Sequence, residues 1–110
     1  MDGIQKNNIL SGLPKKSQQE IFDTIIESSS IKIERIVSTG QSTSENEWYD
    51  QTQSEWVILL KGNATLRFKN EDQLITLTEG DYVNIPAHTQ HRVESTSRDT
   101  ETIWIAIHYR

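Results

Sequence analysis

The chain has 110 residues, enough for one domain with a single core, and no cysteine, which excludes a disulfide framework and any thiolate metal site. Its formal charge of −5 and pI near 5.1, with no stripe of lysine or arginine, argue against binding along a nucleic-acid backbone. The longest apolar runs, Trp56 to Leu60 and Ile103 to Ile107, are strand-length and too short to span a bilayer, and no apolar signal core follows Asp2, Asn7 and Asn8; a cytoplasmic location is expected, with neither membrane nor nucleic acid as partner.

Residues up to Pro14 carry Ile4, Ile9, Leu10 and Leu13 as isolated anchors for a barrel or a partner subunit. Ser17-Gln-Gln-Glu20 has capping-box spacing, and Ile21, Phe22, Ile25 and Ile26 follow as an apolar stripe, which predicts a helix of about three turns ending in Ser28 to Ser30. From Ile31 the period changes. Ile31, Ile33 and Val37 alternate with Lys32 and Glu34 as a half-buried strand that Gly40 ends, and Gln41 to Glu47 is a polar loop leading into Trp48-Tyr49-Asp50-Gln51. Glu55 to Lys61 favours strand and stops at Gly62-Asn63, a hairpin signal, with Ala64, Leu66 and Phe68 alternating on the return.

After a charged turn at Asn70-Glu71-Asp72 come a short strand over Leu74 to Leu77, a turn at Glu79-Gly80-Asp81, and a strand over Tyr82 to Ile85 that Pro86 closes. A bend carries His88 and His91, two of three histidines in the chain, before Arg92 and Val93 resume an extended run. Glu94 to Glu101 reads as a loop. Thr102 to Tyr109 is apolar on both parities, as suits a strand covered on both faces. Roughly seven or eight short strands behind one helix predict an all-β sandwich or small barrel. Residues 1–30 form an N-terminal segment and helix, and residues 31–110 the barrel.

Within this pattern the spacing of a few residues resembles that of small single-domain cupins. The second cupin motif, Gly, five residues, Pro, one residue, Gly, two residues, His, is matched by Gly80, Pro86 and His91, with His88 where the second glycine usually stands. The end of the first motif, Glu, six residues, Gly, is matched by Glu55 and Gly62, and Gly40 stands for its first glycine. The resemblance covers roughly residues 31 to 109 and implies a double-stranded β-helix, or jelly roll, with a small-molecule or metal site inside. The first motif is degenerate. Its His-x-His is absent, and a gap of four residues before Glu55 puts Trp48 and Asp50 there, a gap of three Tyr49 and Gln51.

His91 occupies the family's ligand position, and imidazole suits Mn, Fe, Ni or Zn; equally it is one half of a hydrogen-bonded pair with Glu55. Glu55 shares its strand face with Val57 and Leu59, and a carboxylate there needs either a metal or a polar partner. Asp50, Gln51 and His88 complete the candidate ligand set, against a polar loop cluster as the plainer reading. Trp48, Tyr49, Val57, Tyr82, Trp104 and His108 are the candidate cavity lining, although aromatic residues also fill barrels and His108 also reads as a strand end without chemistry. No catalytic residue is assigned. A divalent-metal site, and with it a metal-dependent enzyme on a small organic substrate, stands against a metal-free small-molecule binding module. Edge strands and the apolar N-terminal segment add the expectation of a homodimer.

Overall fold

The computed structural model describes residues 3–15, 18–70 and 73–110. Its secondary structure is all β: β1 (Ile21–Glu27), β2 (Ile31–Ser38), β3 (Ser54–Lys61), β4 (Ala64–Phe68), β5 (Leu74–Leu77), β6 (Tyr82–Ile85), β7 (His91–Thr96) and β8 (Thr102–Tyr109). Two antiparallel sheets result, one of order β1-β2-β8-β3-β6 and one of order β5-β4-β7. The chain changes sheet between β3 and β4, β5 and β6, β6 and β7, and β7 and β8, as a jelly roll requires. No helix among the described residues is long and apolar enough to cross a membrane.

The expected N-terminal helix is a strand. Ile21 to Glu27 pairs antiparallel with β2, from Ile21 opposite Val37 to Glu27 opposite Lys32, and Ser28 closes the turn by donating its N–H to the Ile31 carbonyl at 2.8 Å. Three isoleucines and a threonine in seven residues favour the extended form, because branched side chains pack well on a pleated surface and lose rotamer freedom in a helix. A register shift between Thr24 and Ile26 breaks the strand's alternation and puts Ile21 and Ile26 on one face, which made a strand resemble a helical stripe. Ser17 of the expected capping box lies outside the described residues, as do Glu71 and Asp72 of the charged turn.

Gly62-Asn63 does not make a hairpin. β3 pairs with β6 and β8, and β4 with β5 and β7, so the dipeptide carries the chain from one sheet to the other. A two-residue type I′ turn needs positive φ at both central residues; Gly62 has φ 89° and Asn63 is not left-handed. Glycine is required at 62 for space as well, since a Cβ there would sit 2.5 Å from Thr102 Oγ1 and 2.9 Å from the Glu101 carbonyl. The run after Val93 also differs from expectation: β7 continues to Thr96, so the loop begins only at Ser97.

The core lies between the sheets, on Val57 and Leu59 of β3, Ala64 and Leu66 of β4, Leu77, Ile85, Val93, and Trp104 and Ala106 of β8. β2 contributes its even positions, so Glu34, Ile36 and Ser38 are buried beside this core, the reverse of the wet face expected for Glu34. The other face of the sheet is covered too, with Val37 and Ile103 buried. The N-terminal segment is tied to the Arg35 guanidinium, which donates to the carbonyls of Ile9, Ser11 and Gly12 and to Asp23. Ile9 and Leu13 are half-buried there, while Ile4 and Leu10 are exposed.

Candidate functional site

β3 begins at a bend and then alternates, so Glu55, Val57 and Leu59 all point inward. Glu55 lies opposite His108 on one flank and Ile85 on the other. His91 enters from the opposing sheet as the first residue of β7, directly after the bend that follows Pro86. The two meet between the sheets, with His91 Nε2 at 3.5 Å from Glu55 Oε1. The His91 Nδ1–H donates to the Thr89 carbonyl at 2.8 Å, which fixes the ring and leaves Nε2 as the nitrogen that faces Glu55.

A second pair extends this one. His108 Nε2 donates to Glu34 Oε1 at 2.8 Å and stands 3.9 Å from Glu55 Oε2. Glu34, Glu55, His91 and His108, at 7%, 8%, 6% and 8% exposure, thus form an unbroken run of alternating carboxylate and imidazole through the barrel. Burial works against a charged His91, but the Glu55 carboxylate and the Thr89 carbonyl outweigh it and lift the ring above the usual histidine value. The bond from Glu34 lifts His108 in the same direction, and that bond holds Glu34 below the ordinary carboxylate value.

His91 and Glu55 line a small cavity of about 60 Å³ that opens to solvent. Its walls are largely apolar, from Phe22 of β1, Ile36 of β2, Val57 of β3, Leu66 of β4, Ile85 of β6 and Trp104 of β8. The polar remainder is Glu20, Tyr49, Gln51, Glu55 and His91. Tyr49 is held by a two-way backbone bridge to His91, with bonds of 2.7 and 3.1 Å, and the Gln51 carbonyl accepts from the His88 N–H at 2.8 Å. Gln51 Oε1 is buried and has no hydrogen-bond partner. Glu20 accepts from the Ser38 hydroxyl, which in turn accepts from Trp104 Nε1 at 3.0 Å; burial pushes the Glu20 carboxyl up.

The residues expected at the site therefore divide. Glu55, His91, Gln51, Tyr49, Val57 and Trp104 face the cavity. Asp50 and His88 do not: they pair with each other at 2.9 Å on the surface, with His88 in a left-handed conformation at φ 62°. Trp48 lies under Arg92 and Lys69, whose charged groups stand 5.1 and 5.9 Å from its ring, and Tyr82 is 66% exposed against Trp56. His108 lies behind Glu55 rather than in the cavity wall. Glu20, read from sequence as part of a capping box, and Glu34 and Ser38 were not expected at the site. The signal for Glu34 was a charge at an even position of β2, matched by the inward parity of His108, and it becomes legible only once β2 and β8 are known to be neighbours.

Among the described residues no group of three or more histidine, aspartate or glutamate side chains is arranged so that it could hold a metal ion. Of the set the motif resemblance proposed, only His91 and Glu55 are strong donors facing the cavity, joined by the weak amide of Gln51. These side chains do not fit a four-ligand divalent centre.

The family model described as "Cupin domain" matches residues 34–108. A protein of Ralstonia eutropha JMP134, provisionally assigned as a mannose-6-phosphate isomerase, is similar at 34% identity with a TM-score of 0.93, over 96% of this chain and 98% of that one. A cupin superfamily protein of Desulfitobacterium hafniense DCB-2 is similar in fold, at 19% identity and a TM-score of 0.76 over 97% and 93% of the two chains. A cupin-2 domain protein of Shewanella frigidimarina follows at 22% and 0.65, over 82% and 80%. No curated protein matches the chain. Five motif residues at family spacing, two facing antiparallel sheets and the match over residues 34–108 together make this chain a member of the cupin family.

Proposed function

We propose that the chain binds a small organic molecule in the barrel without a resident metal. The observation that carries this reading is the division of the cavity wall: apolar side chains form most of it, while Glu55, His91 and Gln51 bring polar atoms to it, one of them a buried acceptor with no protein partner. A ligand with an apolar body and a polar end satisfies both. The loose 3.5 and 3.9 Å contacts of Glu55 leave its oxygens able to take a ligand donor at closer range.

Two other readings make different demands. A metal-dependent enzyme would need His91 Nε2, Glu55 and Gln51 Oε1 to suffice as ligands, because Asp50 and His88 are engaged with each other. A sugar phosphate, suggested by the Ralstonia relative, would need a cationic clamp, and among the described residues no lysine or arginine lines the cavity.

Elemental analysis of untagged protein grown with Mn, Fe, Ni and Zn, combined with thermal melts against a panel of small organic compounds, tests the reading. The expected result is far less than one metal per chain and a raised Tm with compounds that enter the cavity. A stoichiometric metal that disappears in His91→Ala overturns the metal-free reading, and a panel without any shift overturns the binding reading.

A further inference from the structure

The hydrogen-bonding capacity left over in the cavity is unequal between donors and acceptors. Most donors there are already turned on the protein: Trp104 Nε1–H on Ser38, the Ser38 hydroxyl on Glu20, the His91 Nδ1–H on Thr89 and the Tyr49 hydroxyl toward Thr43, which leaves the Gln51 amide N–H. The acceptors are not used up in the same way. Gln51 Oε1 has no partner at all, and both oxygens of Glu55 are met only at 3.5 Å or beyond. Gln51 and Glu55 are four positions apart at the entry to β3 and line the same space. Charge points the same way. Glu55 and Glu20 face the cavity with one imidazole; burial favours the neutral form of Glu20, so the negative charge there is chiefly that of Glu55, met by His91 only at 3.5 Å.

We propose that the ligand is a small organic ammonium compound, whose N–H groups are taken by Gln51 Oε1 and the Glu55 carboxylate and whose hydrocarbon part lies against Ile36, Leu66 and Trp104. An ammonium carries three donors and no acceptor, which matches this surplus; a carboxylate or phosphate would add acceptors and negative charge to a space that already has both. Trp104 and Tyr49 also line the cavity, and aromatic rings attract cations. This inference rests on the binding reading above and narrows it.

The full-length chain is titrated with n-pentylamine, n-pentanol and n-pentanoate at pH 7, which share a hydrocarbon length and differ in the polar end. The Trp104 indole N–H resonance and calorimetry report binding. Pentylamine is expected to bind at least tenfold more tightly than either other probe, and Gln51→Met to reduce amine affinity by about fivefold or more while leaving pentanol unchanged. Circular dichroism checks that the variant folds, and the wild-type comparison needs no variant. If pentanol or pentanoate binds as well as pentylamine, or if Gln51→Met leaves the preference intact, the ammonium assignment fails and the binding reading stands. If none of the three disturbs Trp104, the binding reading fails with it.

Discussion

His108 sits between two carboxylates, 2.8 Å from Glu34 and 3.9 Å from Glu55, with almost no solvent to screen them. Removing it takes away Glu34's only buried hydrogen-bond partner, leaving it the half-exposed Lys32 at 3.7 Å, and leaves Glu55 with His91 alone. His108→Ala is therefore expected to lower stability by about 3–5 kcal/mol, read from urea denaturation at pH 7. The same pair sets a pH dependence. The folded state holds the proton of His108 above the ordinary 6.5, so its contribution is full below about pH 6.5 and lost as the pH rises through the folded value. Glu34 is held below 4.5, so its contribution is full above about pH 4.5 and lost as the pH falls through its own folded value. Melting temperatures are expected to decline on both sides of the interval from 4.5 to 6.5, and Glu34→Gln to flatten the alkaline decline; an unchanged alkaline limb in that variant counts against the pair. His91 and Glu55 could be anticipated from sequence because motif spacing marks them. The bond between Glu34 and His108 spans 74 positions and follows from the pairing of β2 with β8, which no local pattern encodes.

β1 shows how an element can satisfy the wrong period. Its apolar residues fit a helical stripe by position, and only the extra residue of the bulge explains why Ile21 and Ile26 face the same way in a strand. The other seven strands were legible because turn residues bound them, including Gly40, Gly62 and Gly80, and because branched residues fill them. What could not be read was partner choice, so the turn at Gly62 looked like a hairpin when it is a crossing between sheets. As an edge strand β1 leaves its outer backbone unpaired, with Phe22, Ile25 and Ile26 at 51%, 45% and 56% exposure. A homodimer through this edge is the expected state. Light scattering of the native chain should give twice the chain mass, and Ile26→Lys should give a monomer; a monomeric native chain at high concentration removes the expectation.

At the scale of the molecule, three connections join distant parts of the chain. Arg35 fastens the N-terminal segment to the outside of the five-stranded sheet through three carbonyls, and Asp23 orients it. Truncation of that contact by Arg35→Ala is expected to speed amide exchange in residues 9–13 while leaving β3 and β8 protected, as hydrogen-exchange mass spectrometry would show. Inside, Leu59 and Ala106 are fully buried between the two sheets and help fix their spacing.

The third connection is the short length of chain from Tyr49 to Gln51. It belongs to neither sheet, yet it forms one wall of the cavity, and it is stitched to the His88–His91 region by three backbone bonds and the Asp50–His88 contact. So few stitches can part and re-form without loosening a strand ladder, so this wall of the cavity is expected to open locally more often than the strands it leans on.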